Sequence, residues 1–222
     1  MAASVEELLQ QNPARLWRAR EQAGSAASAP SGLPTGYAAL DCCLPGQGWP
    51  QQGLVEILYD QPGIGELQLW MPALARLCSP KPGRRGTSAA PTSAGGWIAW
   101  VSPPCPPYAP ALAAWGLDVG RMLVVQAAGS TEWAMEQALR SEACSAVLGW
   151  ANPREPQALR RLQLAAEQTR TLAVLFRARN AMRNPSPAVL RVALRSGSEG
   201  LEVRLVKSRG GRPTAVTLRD PT

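Results

Sequence analysis

Residues 54–69, Leu-Val-Glu-Ile-Leu-Tyr-Asp-Gln-Pro-Gly-Ile-Gly-Glu-Leu-Gln-Leu, constrain this chain more than any other stretch. Leu54, Val55, Ile57, Leu58 and Tyr59 form a short apolar run of the kind buried on both faces of a parallel sheet. Pro62, Gly63, Ile64 and Gly65 turn the chain, and Glu66 opens a helical pattern. Strand, tight turn and helix in that order is the setting of a phosphate loop. A working loop needs Gly-x-x-x-x-Gly-Lys-Ser/Thr: the glycines let backbone N–H groups close on phosphates, the lysine neutralises them and the hydroxyl holds magnesium. Of those fixed positions Gly65 alone is kept, with Asp60 at the first glycine, Glu66 at the lysine and Leu67 at the hydroxyl. Two carboxylates then face any triphosphate, and nothing ligates its metal.

Composition narrows the chemistry further. An apolar share of 45% over 222 residues is enough for one domain with a full core, with or without an arm. There is no histidine, which excludes imidazole-based triads and the common histidine metal sites. Cys42, Cys43, Cys78, Cys105 and Cys144 are odd in number and lack Cys-x-x-Cys spacing, so ordinary reduced thiols are expected rather than a disulfide frame or a zinc site. No apolar run reaches the roughly 18 residues of a membrane span, and the first residues lack the pattern of a signal peptide. A cytoplasmic protein without membrane contact is the expectation. Charge is uneven: residues 1–153 hold nine Lys and Arg against eleven Asp and Glu, residues 154–222 fourteen against five. That asymmetry suits either an anionic partner for the second half or solubility alone.

Around the loop the residues carry a family resemblance. Leu33-Pro34-Thr35-Gly36-Tyr37-Ala38-Ala39-Leu40-Asp41, followed by Gly46-Gln47-Gly48-Trp49-Pro50-Gln51-Gln52-Gly53-Leu54-Val55-Glu56-Ile57, resembles the lead-in to a RecA core, a Thr-Gly-x-x-x-Leu-Asp turn running into the first strand. With Gln61-Pro62-Gly63-Ile64-Gly65-Glu66 behind it, the chain most resembles the ImuA family, RecA-like and SulA-related accessory proteins of bacterial mutagenic translesion synthesis. The resemblance covers residues 33–222 and is most specific over 33–66. It implies an α/β fold: a RecA-like core with a mainly parallel sheet flanked by helices, C-terminal antiparallel strands and an N-terminal helical arm.

In chain order, residues 1–22 read as the helical arm, with Leu16 and Trp17 beside Arg15, Arg18 and Arg20; packing back on the core and docking on a partner both account for Leu16, Trp17 and Arg18. Residues 23–32 have the composition of a flexible linker. Residues 67–77 continue the helix after the loop, with Leu67, Trp70, Leu74 and Leu77 on one face against the unfavourable Pro72. Residues 79–96, rich in Pro and Gly, are expected to be a disordered loop. Residues 97–101, 122–125, 145–150 and 171–176 read as parallel strands, separated by helices at about 108–115, from Ser130 or Thr131 to Arg140, and over 154–170. Residues 188–219 alternate as Leu190, Val192, Leu194, then Leu201, Val203, Leu205, then Val216, Leu218, which predicts a three-strand antiparallel extension with Arg191 and Arg195 turned outward.

The resemblance assigns chemistry to further positions. Pro103 stands where the glutamate that activates water belongs, and Gly149 where the magnesium-ordering aspartate belongs. With Glu66 these are losses at separate chemical roles, so no enzyme activity, catalytic residue, cofactor or metal is expected. The resemblance also places a DNA-facing loop over 177–187, where Arg177, Arg179 and Arg183 are candidates for contact with DNA or a partner, together with Lys207, Arg209 and Arg212 on and after a later strand. It implies a non-catalytic RecA-like adaptor of the SOS response working with an ImuB-like polymerase homologue and an error-prone DNA polymerase, with RecA and single-stranded DNA as further candidate partners. The alternative is a SulA-like cell-division inhibitor that binds FtsZ, since Val147-Leu148-Gly149-Trp150 is similar to the matching SulA strand.

Overall fold

The computed structural model describes residues 32–79, 96–153, 155–211 and 213–218. The arm with Leu16, Trp17 and Arg18, the linker up to Ser31, most of the 79–96 loop and Arg212 lie outside the described residues. Among the described residues no helix is long and apolar enough to cross a membrane.

Among the described residues the fold is mixed α/β, an eight-stranded, mostly parallel sheet between two layers of helices. Its strands are β1 (Gly53–Tyr59), β2 (Trp97–Val101), β3 (Met122–Val125), β4 (Cys144–Trp150), β5 (Leu172–Ala178), β6 (Leu190–Gly197), β7 (Gly200–Ser208) and β8 (Thr214–Leu218). They lie in the order β3-β2-β4-β5-β1-β6-β7-β8. The helices are α1 (Ala38–Asp41), α2 (Met71–Cys78), α3 (Ala109–Ala114), α4 (Thr131–Arg140) and α5 (Pro156–Gln168), with short 3₁₀ turns at Val119–Arg121 and Arg179–Arg183.

Central position explains why β1 is buried along its whole length and is apolar at every side chain except Glu56. Val55, Ile57 and Tyr59 face a core shared with α1, α2 and α3; Leu54 faces α5, packing with Leu159 and Leu162. Two sequence expectations shift here. The helix after the loop begins at Met71, because Pro72 fits only its first turn, and residues 67–70 form turns instead. Strands β6, β7 and β8 form the three-strand antiparallel extension, and β6 also pairs parallel with β1, so the parallel set runs one strand further than residues 171–176. Alternation is blind to that distinction, because strand direction does not alter which residues share a face.

The lead-in folds by local bonds. The Asp41 carboxylate accepts the Thr35 N–H at 2.9 Å, and the Thr35 hydroxyl accepts the Tyr37 N–H at 3.0 Å. Gly36 adopts φ 89°, and a Cβ there would lie 2.7 Å from the Pro72 ring, so this glycine is needed for both conformation and space. Trp49 stacks on Trp70 with ring centroids 4.2 Å apart, clamping the lead-in to the turn before α2.

On the sheet face opposite α2, β1 carries a fully buried carboxylate. Glu56 pairs with Arg177 (Nη1 to Oε1, 2.9 Å) and Arg191 (Nε to Oε2, 2.7 Å), and accepts the Ser186 hydroxyl at 2.8 Å. Register explains the meeting: Arg191 lies directly beside Glu56, while Arg177 lies beside Leu58, the next residue on that face. Both arginines are buried, which corrects the outward placement of Arg191 and takes Arg177 out of the predicted DNA-facing loop into β5. Their surplus positive charge is met by carbonyls: Arg191 donates to Ala181 at 2.8 Å and Asn184 at 3.0 Å, and Arg177 to Pro153 at 3.2 Å. Removing one member of such a cluster leaves a buried charge uncompensated. Glu56→Ala is therefore expected to lower the unfolding free energy by about 3–5 kcal/mol in urea denaturation, and a loss below about 1 kcal/mol would contradict the burial described.

Candidate functional site

The degenerate loop sits at the C-terminal end of β1, where ligands enter open α/β sheets. Gly63 and Gly65 hold φ 89° and 99°, the left-handed conformations that aim successive N–H groups at one point. That point is occupied. The Glu66 side chain folds back so that both carboxylate oxygens accept the Gly63 N–H at 3.0 Å, and Oε2 also accepts the Ile64 N–H at 3.0 Å. Glu66 is only 4% exposed. The residue at the lysine position thus serves as the loop's own anion, a role that sequence reading missed when it counted Glu66 as a free repelling charge. The signal was present: a carboxylate two and three residues after N–H groups released by glycine can close on them as a capping residue does.

Asp60, at the first glycine position, turns aside to Arg179, with Nη1 to Oδ2 at 3.3 Å. Leu67 packs, partly buried, against the α2-side core. Pro103 is buried after Ser102, whose φ is 52° and whose hydroxyl accepts from Thr131 Oγ1 at 3.0 Å, tying the end of β2 to the start of α4. Gly149 is a packing requirement, because a Cβ there would come within 2.1 Å of the Met135 sulfur on α4. The neighbouring Trp150 belongs to an aromatic row across four adjacent strands. It stacks on Trp100 (5.5 Å) and Phe176 (4.7 Å), and Tyr59 meets Phe176 edge-on at 6.2 Å. Burial, and secondarily the Glu66 charge, push the Tyr59 phenol up to about 12.

The basic candidates divide. Arg177 is internal, and Arg212 is outside the described residues. Arg183 is exposed on the 3₁₀ turn that follows β5. Lys207 reaches the same connection, donating to the Ser186 carbonyl at 2.7 Å; its ammonium is held below the usual lysine range by partial burial, then by Arg209 and Arg191. Arg209 pairs with Glu167 at 3.2 Å. Arg179, Arg183, Lys207 and Arg209 are thus the members of the predicted set with surface exposure. Among the described residues no group of three or more His, Cys, Asp or Glu can hold a metal ion.

Fold and site together define a mixed α/β protein whose loop after β1 is closed on its own glutamate. No protein-family model matches the chain, and no curated protein matches it. Among solved structures the chain is similar to the crystal structure of SulA from Pseudomonas aeruginosa, at 22% sequence identity over 56% of this chain and 97% of that chain, with a TM-score of 0.42.

Two readouts test the loop geometry. Glu66→Ala removes the charged acceptor of two part-buried N–H groups and is expected to cost about 1–3 kcal/mol of stability. It should also lower the Tyr59 pKa while leaving it above 10, because burial, the larger cause, remains; tyrosinate absorbance on pH titration measures this, and an unchanged titration would place Glu66 away from Tyr59. In the unaltered protein the folded-state value lies above the unfolded one, so the folded state holds the proton longer. Stability is expected to be intact below pH 10 and to fall as pH rises from there towards 12.

Proposed function

We propose that this chain is a non-catalytic RecA-like adaptor in SOS-induced mutagenic translesion synthesis, acting with an ImuB-like polymerase homologue and an error-prone DNA polymerase. The observation that carries the non-catalytic part is the Glu66 carboxylate seated on the Gly63 and Ile64 N–H groups. A nucleotide phosphate must expel this carboxylate before it meets those donors, and phosphoryl transfer relies on positive charge and metal at that place. The adaptor part rests on the resemblance over residues 33–66, whose Thr35, Gly36, Leu40 and Asp41 each have a structural task in the fold. RecA is a further candidate partner by the same resemblance, and the protein is expected in the cytoplasm.

Purified protein is expected not to hydrolyse ATP, with or without single-stranded DNA, and Glu66→Lys alone is expected not to restore turnover, since Pro103 and Gly149 remain. DNA-stimulated hydrolysis abolished by changes in residues 60–67 would overturn this. Affinity capture from DNA-damaged cells should recover the polymerase homologue and the error-prone polymerase; FtsZ in their place would favour the division-inhibitor alternative.

Direct DNA contact is a separable part of the proposal. Arg183 and Lys207 flank one surface connection, and phosphates would meet them without base stacking, because residues 179–187 contain no aromatic side chain. Single-stranded DNA is therefore expected to bind weakly and with little sequence preference. Each phosphate contact adds about 0.7 to the salt slope, so Arg183→Ala with Lys207→Ala should flatten it by about 1.4. An unmoved slope with binding intact would place the contact elsewhere.

A further inference from the structure

The sheet has two ends of different character. At one, β8 presents exposed Thr214, Ala215 and Thr217, is led in by Pro213 and packs against α1. Small or polar side chains, a proline and a covering helix are the devices that keep edge strands from pairing with other chains. At the other end β3, Met-Leu-Val-Val, contains no charge and no proline, and among the described residues no strand pairs with its outer edge. Leu123 is 47% and Val124 44% exposed, on opposite faces of the sheet. Beside it lies a groove of about 560 Å³, lined by Trp97, Leu123, Val125, Trp133, Ala138 and Cys144 among others, none of them charged. Trp97 is 45% and Trp133 63% exposed.

We propose that this edge is a homodimer interface, in which β3 pairs antiparallel with β3 of a second copy and the two grooves meet face to face. The occupant must be an uncharged strand apolar on both sides, since Leu123 and Val124 point to opposite faces, and β3 itself is such a strand. A two-fold interface also demands a self-complementary patch. Either register that keeps the sheet faces continuous, Leu123 opposite Leu123 or Val124 opposite Val124, sets an aliphatic side chain against its own copy. The area suffices. At about 200 Å² for a large side chain, Trp97, Leu123, Val124 and Trp133 leave on the order of 400 Å² uncovered per copy, and with the strand backbone the joined patches reach about 1,000 Å², where specific interfaces begin.

Sedimentation velocity on the full chain, over about 1–100 μM in 0.5 M salt to suppress contacts through the basic half, tests this. The unaltered protein is expected to pass from one to two chain masses across the series. Leu123→Lys with Val124→Lys should hold it at one mass, with its melting temperature unchanged at the dilute end, where the unaltered protein is also a single chain, and Trp133→Ala, at an exposed helix position, should raise the dissociation constant at least tenfold. A protein that stays at one mass at about 100 μM overturns the proposal and assigns the groove to a different occupant; a dimer indifferent to both the double-lysine and Trp133 variants overturns it as well.

Discussion

The Glu56 carboxylate is the constraint on which the arrangement of this sheet depends. A lone ionised carboxylate in the middle of a central strand costs several kcal/mol, and it is tolerable only when paired and fully hydrogen-bonded. Arg177 from β5 and Arg191 from β6 supply the pairing from the two strands that flank β1. A slip of β6 by one residue would turn Arg191 to the opposite face, among Val55, Ile57 and Trp70, with no acid to meet it. The cluster thereby specifies register at the junction where the parallel part of the sheet passes into the antiparallel part. It also organises the connection from β5 to β6, which crosses over β1: carbonyls of its 3₁₀ turn bind Arg191, Ser186 binds Glu56, and Ala181 packs on Leu58 and Ala193.

A similar economy holds at the loop. Positions 66, 67 and 149, where the resemblance expects phosphate- or metal-handling groups, each carry a structural task in this fold. Glu66 satisfies two backbone donors, Gly149 makes room for Met135, and Leu67 joins the core. Restoring one charge leaves the others committed to packing. An aspartate at 149 would have to displace the α4 side chain that closes over β4, a cost of the overpacking kind, about 1–3 kcal/mol or more.

Much of this was legible in the sequence, and the exceptions share a cause. The Thr35 to Asp41 turn reads directly because its partners lie six residues apart. Strand and helix order follows from periodicity, and Ser130 caps α4 where the residue types place it, accepting the Trp133 N–H at 3.1 Å. Arg191 was misplaced because alternation assigns an arginine to solvent, and Arg177 because the resemblance puts it in a surface loop, while their acid lies 135 and 121 positions away. No local pattern carries that information. The exposure of Leu123 and Val124 was hidden for the same reason: an all-apolar strand reads as interior, and its place at the sheet's end is a property of topology. Glu66 is the opposite case, a local contact within reach of sequence reasoning that charge counting alone passed over.

The positions of the basic side and of the β3 edge bear on the adaptor role proposed above. Lys207 and Arg209 belong to β7 and the residues after it, whereas the apolar edge is β3. In the strand order these are six steps apart, and at about 4.8 Å per step the separation along the sheet is about 29 Å. That is several Debye lengths at physiological salt, so an anion on the basic side neither attracts nor repels what sits at the β3 edge. The edge is also uncharged, and its affinity is set by apolar area rather than by ionic strength. On the two proposals above, an anion at the basic side would be released by salt while a second copy at the β3 edge would not, and the sheet between them would set their spacing.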